Sequence, residues 1–149
     1  MLLLADNIVD VHELTGDFVG SFGQGVLNST SDITATCDSR IMIVDPGDSC
    51  VHLFTVEGQQ LVKFNYTKIK GDCYYRISCH STGQHIVLAA KERQTDRLAL
   101  AMYTVDGEFE QRIMLEWIRF INGISVTLEG YIAVACNDMP ENEGIVIVV

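Results

Sequence analysis

An all-β chain of repeated four-stranded antiparallel units is what this sequence predicts, and three observations carry the prediction. A short apolar run recurs four times, ending at Asp6, Asp45, Ala90 and Cys136, so successive copies lie 39, 45 and 46 residues apart. β-Branched and aromatic residues dominate the segments around these runs. Residues that favour tight turns punctuate the chain every 8 to 12 residues, roughly. A period of about 40 to 46 residues with four short strands per unit matches a β-propeller blade, whereas solenoids use helices or much shorter strand repeats.

The strands of one unit are termed a, b, c and d. Strand b is the recurring run: Leu2 to Asp6, Ile41 to Asp45, Ile86 to Ala90 and Ile132 to Cys136. Strand c follows a polar hinge: Ile8 to Leu14, Val51 to Val56, Leu98 to Val105 and Ile145 to Val149. Three of these end in a turn signal with Gly16, Gly58 or Gly107 beside an acid, since glycine supplies the positive φ a tight hairpin needs. Strand d comes next: Phe18 to Phe22, Gln60 to Phe64 and Phe109 to Met114. Strand a precedes b: Asp32 to Thr36, Arg76 to Cys79 and Gly123 to Thr127. The chain thus reads bcd, abcd, abcd, abc, a partial propeller, open or fragmentary, of fourteen strands.

Composition fits one domain. The 149 residues are 48% apolar, with 12 Gly and 2 Pro, which excludes collagen-like, disordered and coiled-coil chains. Ten Lys and Arg against twenty Asp and Glu give a formal charge of −10, which repels phosphate at long range. The five cysteines are scattered, mostly in apolar runs, and read as reduced core thiols. Cys73 and Cys79 share a strand face while His80 takes the other, so no zinc site is expected there, nor any cofactor elsewhere. The opening Met1 to Asp6 lacks a basic leader, and no run approaches the roughly 18 apolar residues of a membrane span. A cytoplasmic protein without membrane contact is expected, and the Asn28-Ser29-Thr30 and Asn65-Tyr66-Thr67 sequons are read as chance matches.

The stretch Phe18-Val19-Gly20-Ser21-Phe22-Gly23, with Gly25-Val26-Leu27-Asn28-Ser29, Asp32-Ile33-Thr34, Ile43-Val44-Asp45, Val51-His52-Leu53-Phe54 and Glu57-Gly58, resembles one NHL repeat. Its likeness is to the NHL propellers at the C-terminus of tripartite-motif proteins, clear over residues 18–65 and weaker over 66–149. In the weaker part Ala90 and Cys136 replace the acid that closes strand b; in the clear part Ser29 and Ser31 stand in the neighbourhood where the family has a proline before strand a. The resemblance implies about three and a half NHL blades: a partial blade over 1–23, blades over 24–65 and 66–114, and a partial blade over 115–149. Family propellers have six blades, so a fragment of a longer protein is expected, with an open arc or a ring of two copies as alternatives. Exposed blade edges would then favour self-association.

Strand direction alternates within a blade, so b–c and d–a connections share one side, here the hinge face. The a–b and c–d turns share the opposite hairpin face, which carries Asp17, Asp38, Glu57, Asp106, Glu108 and Glu129 as an acidic rim, with Arg40 the main basic exception. The hinge face concentrates Tyr66, Lys68, Lys70, Lys91, Arg93, Arg97, Trp117 and Arg119, a candidate partner-binding surface of basic and aromatic residues. NHL propellers bind protein or RNA through these loops. The acidic balance favours a protein partner, recruited for a tripartite-motif-type ubiquitin ligase, with RNA binding in translational control as the alternative. Ligase activity itself resides in a RING zinc domain, whose Cys/His ladder this chain lacks. His12 and His52 lie on strand c, His80 and His85 flank an a–b turn, and no three His or acids align on strand a, so no enzyme is expected. Asp6 and Asp45 are read as turn residues, Asp45 capping the Asp45-Pro46-Gly47-Asp48 reversal. On that reading Asp45→Ala costs roughly 1 kcal/mol.

Overall fold

A computed structural model describes residues 1–66, 72–80, 82–92, 95, 97–116, 118, 120–136 and 145–148; of 72, 73 and 145–148 only the backbone is described. Fourteen strands form four antiparallel sheets, and the described residues contain no helix. Blade 1 is β1(Leu2–Ala5), β2(Ile8–His12) and β3(Phe18–Phe22). Blade 2 is β4(Asp32–Ala35), β5(Ile41–Asp45), β6(Cys50–Phe54) and β7(Gln60–Asn65). Blade 3 is β8(Asp72–Cys79), β9(His85–Glu92), β10(Leu98–Thr104) and β11(Phe109–Leu115). Blade 4 is β12(Ile121–Val126), β13(Ile132–Cys136) and β14(Ile145–Val148). The strand order is three, four, four and three, as the repeats predict, and the chain is a partial β-propeller. Strand a of blade 3, β8, touches both β4 and β12, so these inner strands stand side by side about the axis.

Alternation explains why strands b and c of the middle blades are largely apolar on both faces. Successive side chains point to opposite sheet faces, and each face of a middle blade is covered by the next blade. In β5, Ile41 and Ile43 enter the seam with blade 1, beside Val9, Leu27 and Phe54. Met42 and Val44 enter the seam with blade 3, beside Tyr74, Ile86, Leu88 and Tyr103. Blade 3 repeats the device: Ile86, Leu88 and Ala90 pack towards blade 2, Val87 and Ala89 towards Ile121, Ile132 and Val134 of blade 4.

The turns between strands c and d are alike in three blades. Gly16, Gly58 and Gly107 hold φ of 95°, 85° and 89°, and the ladder beside each slips by one residue, at Val11/His12, Leu53/Phe54 and Met102/Tyr103. A left-handed glycine with an adjacent bulge closes a short hairpin while keeping the strands' twist. A Cβ at Gly58 would stand 2.4 Å from Phe22 of blade 1, and one at Gly107 equally close to Phe64 of blade 2. Each ring therefore seals the preceding blade onto the following turn.

Two strands begin earlier than their patterns suggest. β8 starts at Asp72 rather than Arg76, and β12 at Ile121 rather than Gly123. Each contains a register shift, between Tyr74 and Arg76 and between Ile121 and Gly123, which breaks the two-residue alternation. β9 runs to Glu92, so Lys91 belongs to a strand rather than the hinge.

Candidate functional site

On the hinge face, the end of β9 and the connection into β12 bring Lys91 and Phe120 together. The Lys91 Nζ lies 5.0 Å from the centre of the Phe120 ring, and Phe120 is 56% exposed. Neighbouring Ile118 is buried, which pins the connection and turns Phe120 outwards. Arg97, also exposed, closes the same b–c hinge. Lys68, Lys70, Arg93, Trp117 and Arg119 lie outside the described residues.

Tyr66 does not belong to this surface. It is 2% exposed, with its ring 4.3 Å from that of Tyr74 and its hydroxyl donating to the Asp45 carbonyl at 3.4 Å. The seam between blades 2 and 3 draws it in, because a tyrosine there fills space and still satisfies its hydroxyl. Phe120 was missed, although a phenylalanine beside Arg119 in a d–a connection was the available signal.

A second cluster lies under the hinge of blade 2. Asp45 is fully buried, and its Oδ2 accepts from the Asn28 amide N–H at 2.7 Å. Its Oδ1 accepts from the amides of Ser29, Gly47 and Asp48 at 2.9, 3.0 and 3.3 Å. The expected hinge cap is present, but the carboxylate also ties down the d–a connection from blade 1. Asp6 instead sits in a left-handed turn with Asn7, at φ of 46° and 66°, and the Asn7 side chain accepts from the Thr30 amide.

Directly across the ladder from Asp45 stands Cys50, and His52 follows on the same face. Both are fully buried, with Cys50 Sγ 3.1 Å from His52 Nε2. Burial pushes the Cys50 thiol up to about 11 and holds His52 below the usual imidazole range. His52 Nε2 is 3.7 Å from Asp45 Oδ2, and with the imidazole neutral this is no ion pair. Asp48 completes a group whose ligand atoms all lie within 4.8 Å of one another. Lys63, opposite His52 on β7, donates to Asp48 at 2.8 Å. The Cys50-x-His52 alternation was legible in the sequence as one strand face and was not used, whereas Asp48 joins it only through the fold of the hinge.

On the hairpin face all six rim acids are exposed, and Arg40 pairs with Asp38 at 2.8 Å. A cleft of about 460 Å³ opens there between blades 3 and 4, lined by His80, His85, Glu110, Met102 and Ile132 among others. His85 Nδ1 meets Glu110 at 3.0 Å and His80 meets Thr82 at 2.9 Å. The sequence placed both histidines at this turn but did not bring Glu110 to them. Cys79 is partly buried with a free thiol, and the side chain of Cys73 is not described.

No protein-family model and no curated protein matches the sequence. Solved structures do. A protein of unknown function from Bacteroides caccae aligns with a TM-score of 0.63 at 13% identity, over 96% of this chain and 53% of that one. A streptogramin B lyase aligns at 0.64 and 15% identity, over 88% and 42%. Virginiamycin B lyase from Staphylococcus aureus aligns at 0.60 and 12% identity, over 99% and 54%. The chain therefore spans about half the length of these proteins, and the likeness establishes the propeller fold. It also corrects the expectation that the chain is no enzyme. The same fold forms lyases, so the lack of three aligned His or acids on strand a excludes no catalysis. Among the described residues, no helix is long and apolar enough to cross a membrane.

Proposed function

We propose that this propeller segment is an interaction module that recruits protein partners, of the NHL type carried by tripartite-motif ubiquitin ligases. Its docking side is the hinge face of blades 3 and 4. The single observation that carries the reading is the exposed Phe120 ring beneath the Lys91 ammonium, on the face that also presents Arg97. Protein interfaces concentrate their binding energy in such aromatic and cationic anchors. The −10 charge works against a polyanion at long range, which favours protein over RNA as the partner.

The test uses the full chain with three variants: Phe120→Ala and Arg97→Glu on the hinge face, and Glu57→Lys on the hairpin face. The hinge-face variants should weaken capture of a protein partner at least tenfold, about the scale of an interface anchor, with melting unchanged. Retained capture in both, alongside loss in Glu57→Lys, would move the docking side to the other face. A pool of single-stranded RNA, titrated at about 50 and 200 mM salt, separates the alternative. An RNA affinity that drops about a thousandfold between them marks phosphate contacts and favours the translational-control reading.

A further inference from the structure

We propose that Asp48, Cys50 and His52 form a binding site for a divalent cation of the zinc class, with Lys63 as the ammonium that closes the site when no metal is bound. Position is the first argument. β6 alternates, so Cys50 and His52 share one face, and the hinge returns Asp48 over them. In a tetrahedral zinc site with Zn–S near 2.3 Å and Zn–N near 2.0 Å, ligand atoms stand about 3.5 Å apart. Cys50 Sγ and His52 Nε2 are 3.1 Å apart, and Asp45 Oδ2 is 3.7 Å from that nitrogen. A small outward adjustment of the thiol admits the ion, with Asp45 Oδ2 or solvent in the fourth position.

Charge is the second argument. Two carboxylates, Asp45 and Asp48, face one ammonium, which leaves an excess negative charge beside two fully buried soft ligands. A divalent ion, entering as the Cys50 S–H gives its proton to the buffer and a sulfur–metal bond forms, takes over the role of the Lys63 charge and offsets two of the three negative charges of Asp45, Asp48 and the Cys50 thiolate. Thiolate and imidazole select zinc-like ions over magnesium or calcium. His52 must then carry its proton on Nδ1, which lies 3.0 Å from the Gln60 side-chain amide. That amide, turned to present its oxygen, fixes the ring as outer partners of metal-bound histidines do. Access is short: Asp48 and Lys63 are both on the surface, so swinging Lys63 aside opens the way.

The full chain, stripped of metal, is titrated with Co(II), whose thiolate complexes absorb in the near ultraviolet. One equivalent should bind with a thiolate-to-cobalt band and release of about one proton. Zn(II) should displace it and Mg(II) should not. Asp48→Asn should weaken binding at least tenfold, and Lys63→Met should tighten it about fivefold, the scale of an exposed ion pair. Cys50→Ser should abolish the band, while Cys37→Ser, which alters an exposed thiol, should keep it. A band absent from both the natural chain and Lys63→Met, or one that survives Cys50→Ser, overturns the proposal. Should Cys50→Ser fail to fold, unchanged affinities in both surface variants overturn it equally.

Discussion

The two inter-blade seams nearest the N-terminus solve one problem with different chemistry. Between blades 1 and 2 the hinge side is polar: the buried Asp45 carboxylate gathers four amide N–H groups, and Asn7 takes a fifth from Thr30. Between blades 2 and 3 the position equivalent to Asp45 is Ala90, and the seam is aromatic. Tyr66 packs on Tyr74, Tyr103 donates to the Tyr66 carbonyl at 3.3 Å, and the Tyr74 and Tyr103 hydroxyls meet at 3.4 Å. A connection can be held by a carboxylate that only a few side chains can replace, or by rings for which many apolar groups substitute.

The largest effect should fall on the polar seam. Asp45→Ala leaves four amides without their carboxylate acceptor, and hydrogen bonds to charged groups are worth about 1.5–3 kcal/mol. A loss of about 3 kcal/mol in urea unfolding is expected, above the roughly 1 kcal/mol of an exposed cap. Tyr103→Phe, on the aromatic seam, removes the long hydroxyl contacts with the Tyr66 carbonyl and the Tyr74 hydroxyl and leaves the packing; it should cost about 1 kcal/mol or less. Equal losses would dissolve the contrast between the seams.

Glycine substitutions sharpen the comparison at the c–d turns. Gly16, Gly58 and Gly107 share a left-handed backbone, so alanine costs each about 1–2 kcal/mol in strain. At Gly58 and Gly107 the new methyl also collides with Phe22 or Phe64, whereas nothing lies within 4 Å at Gly16. Alanine at Gly58 or Gly107 should therefore lower stability by about 1–3 kcal/mol more than at Gly16, as overpacking does elsewhere. Thermal melts of the three variants decide it. Identical losses would mean that the rings yield freely and do not fasten the blades.

The same contrast sets what the sequence revealed. The fourteen strands were legible because turn glycines and doubly buried runs demand particular residue types, and the b strands ending at Asp45 and Cys136 fall where they were read. The bulges at Tyr75 and Asn122 hid the starts of β8 and β12 by breaking alternation. Tyr66 was misread because it borders Lys68 and Lys70, and a tyrosine beside basic residues looks the same whether it faces solvent or a seam. The Asp48, Cys50 and His52 group escaped because its coherence depends on a hinge folding back, and Glu110 joined the histidine cleft only through strand pairing.

The smallest effect concerns a third pair of equivalent places, the a–b turns on the hairpin face. In blade 2 the Arg40 guanidinium, and then the Thr36 hydroxyl, hold the Asp38 carboxyl below its ordinary 3.8. The turn of blade 3 uses His80 and Thr82 instead and has no acid to hold. A carboxyl depressed in the folded chain adds stability above its ordinary value, and that stability is lost as pH falls through the lower, folded value. Asp38 is exposed, so the contribution is small and screened by salt. Carboxyl NMR titration of the full chain should place Asp38 below 3.8, with Arg40→Gln returning it towards that value. A titration midpoint that Arg40→Gln does not move would show that blade 2 spends its charge pair on turn geometry alone, as blade 3 does with its histidine.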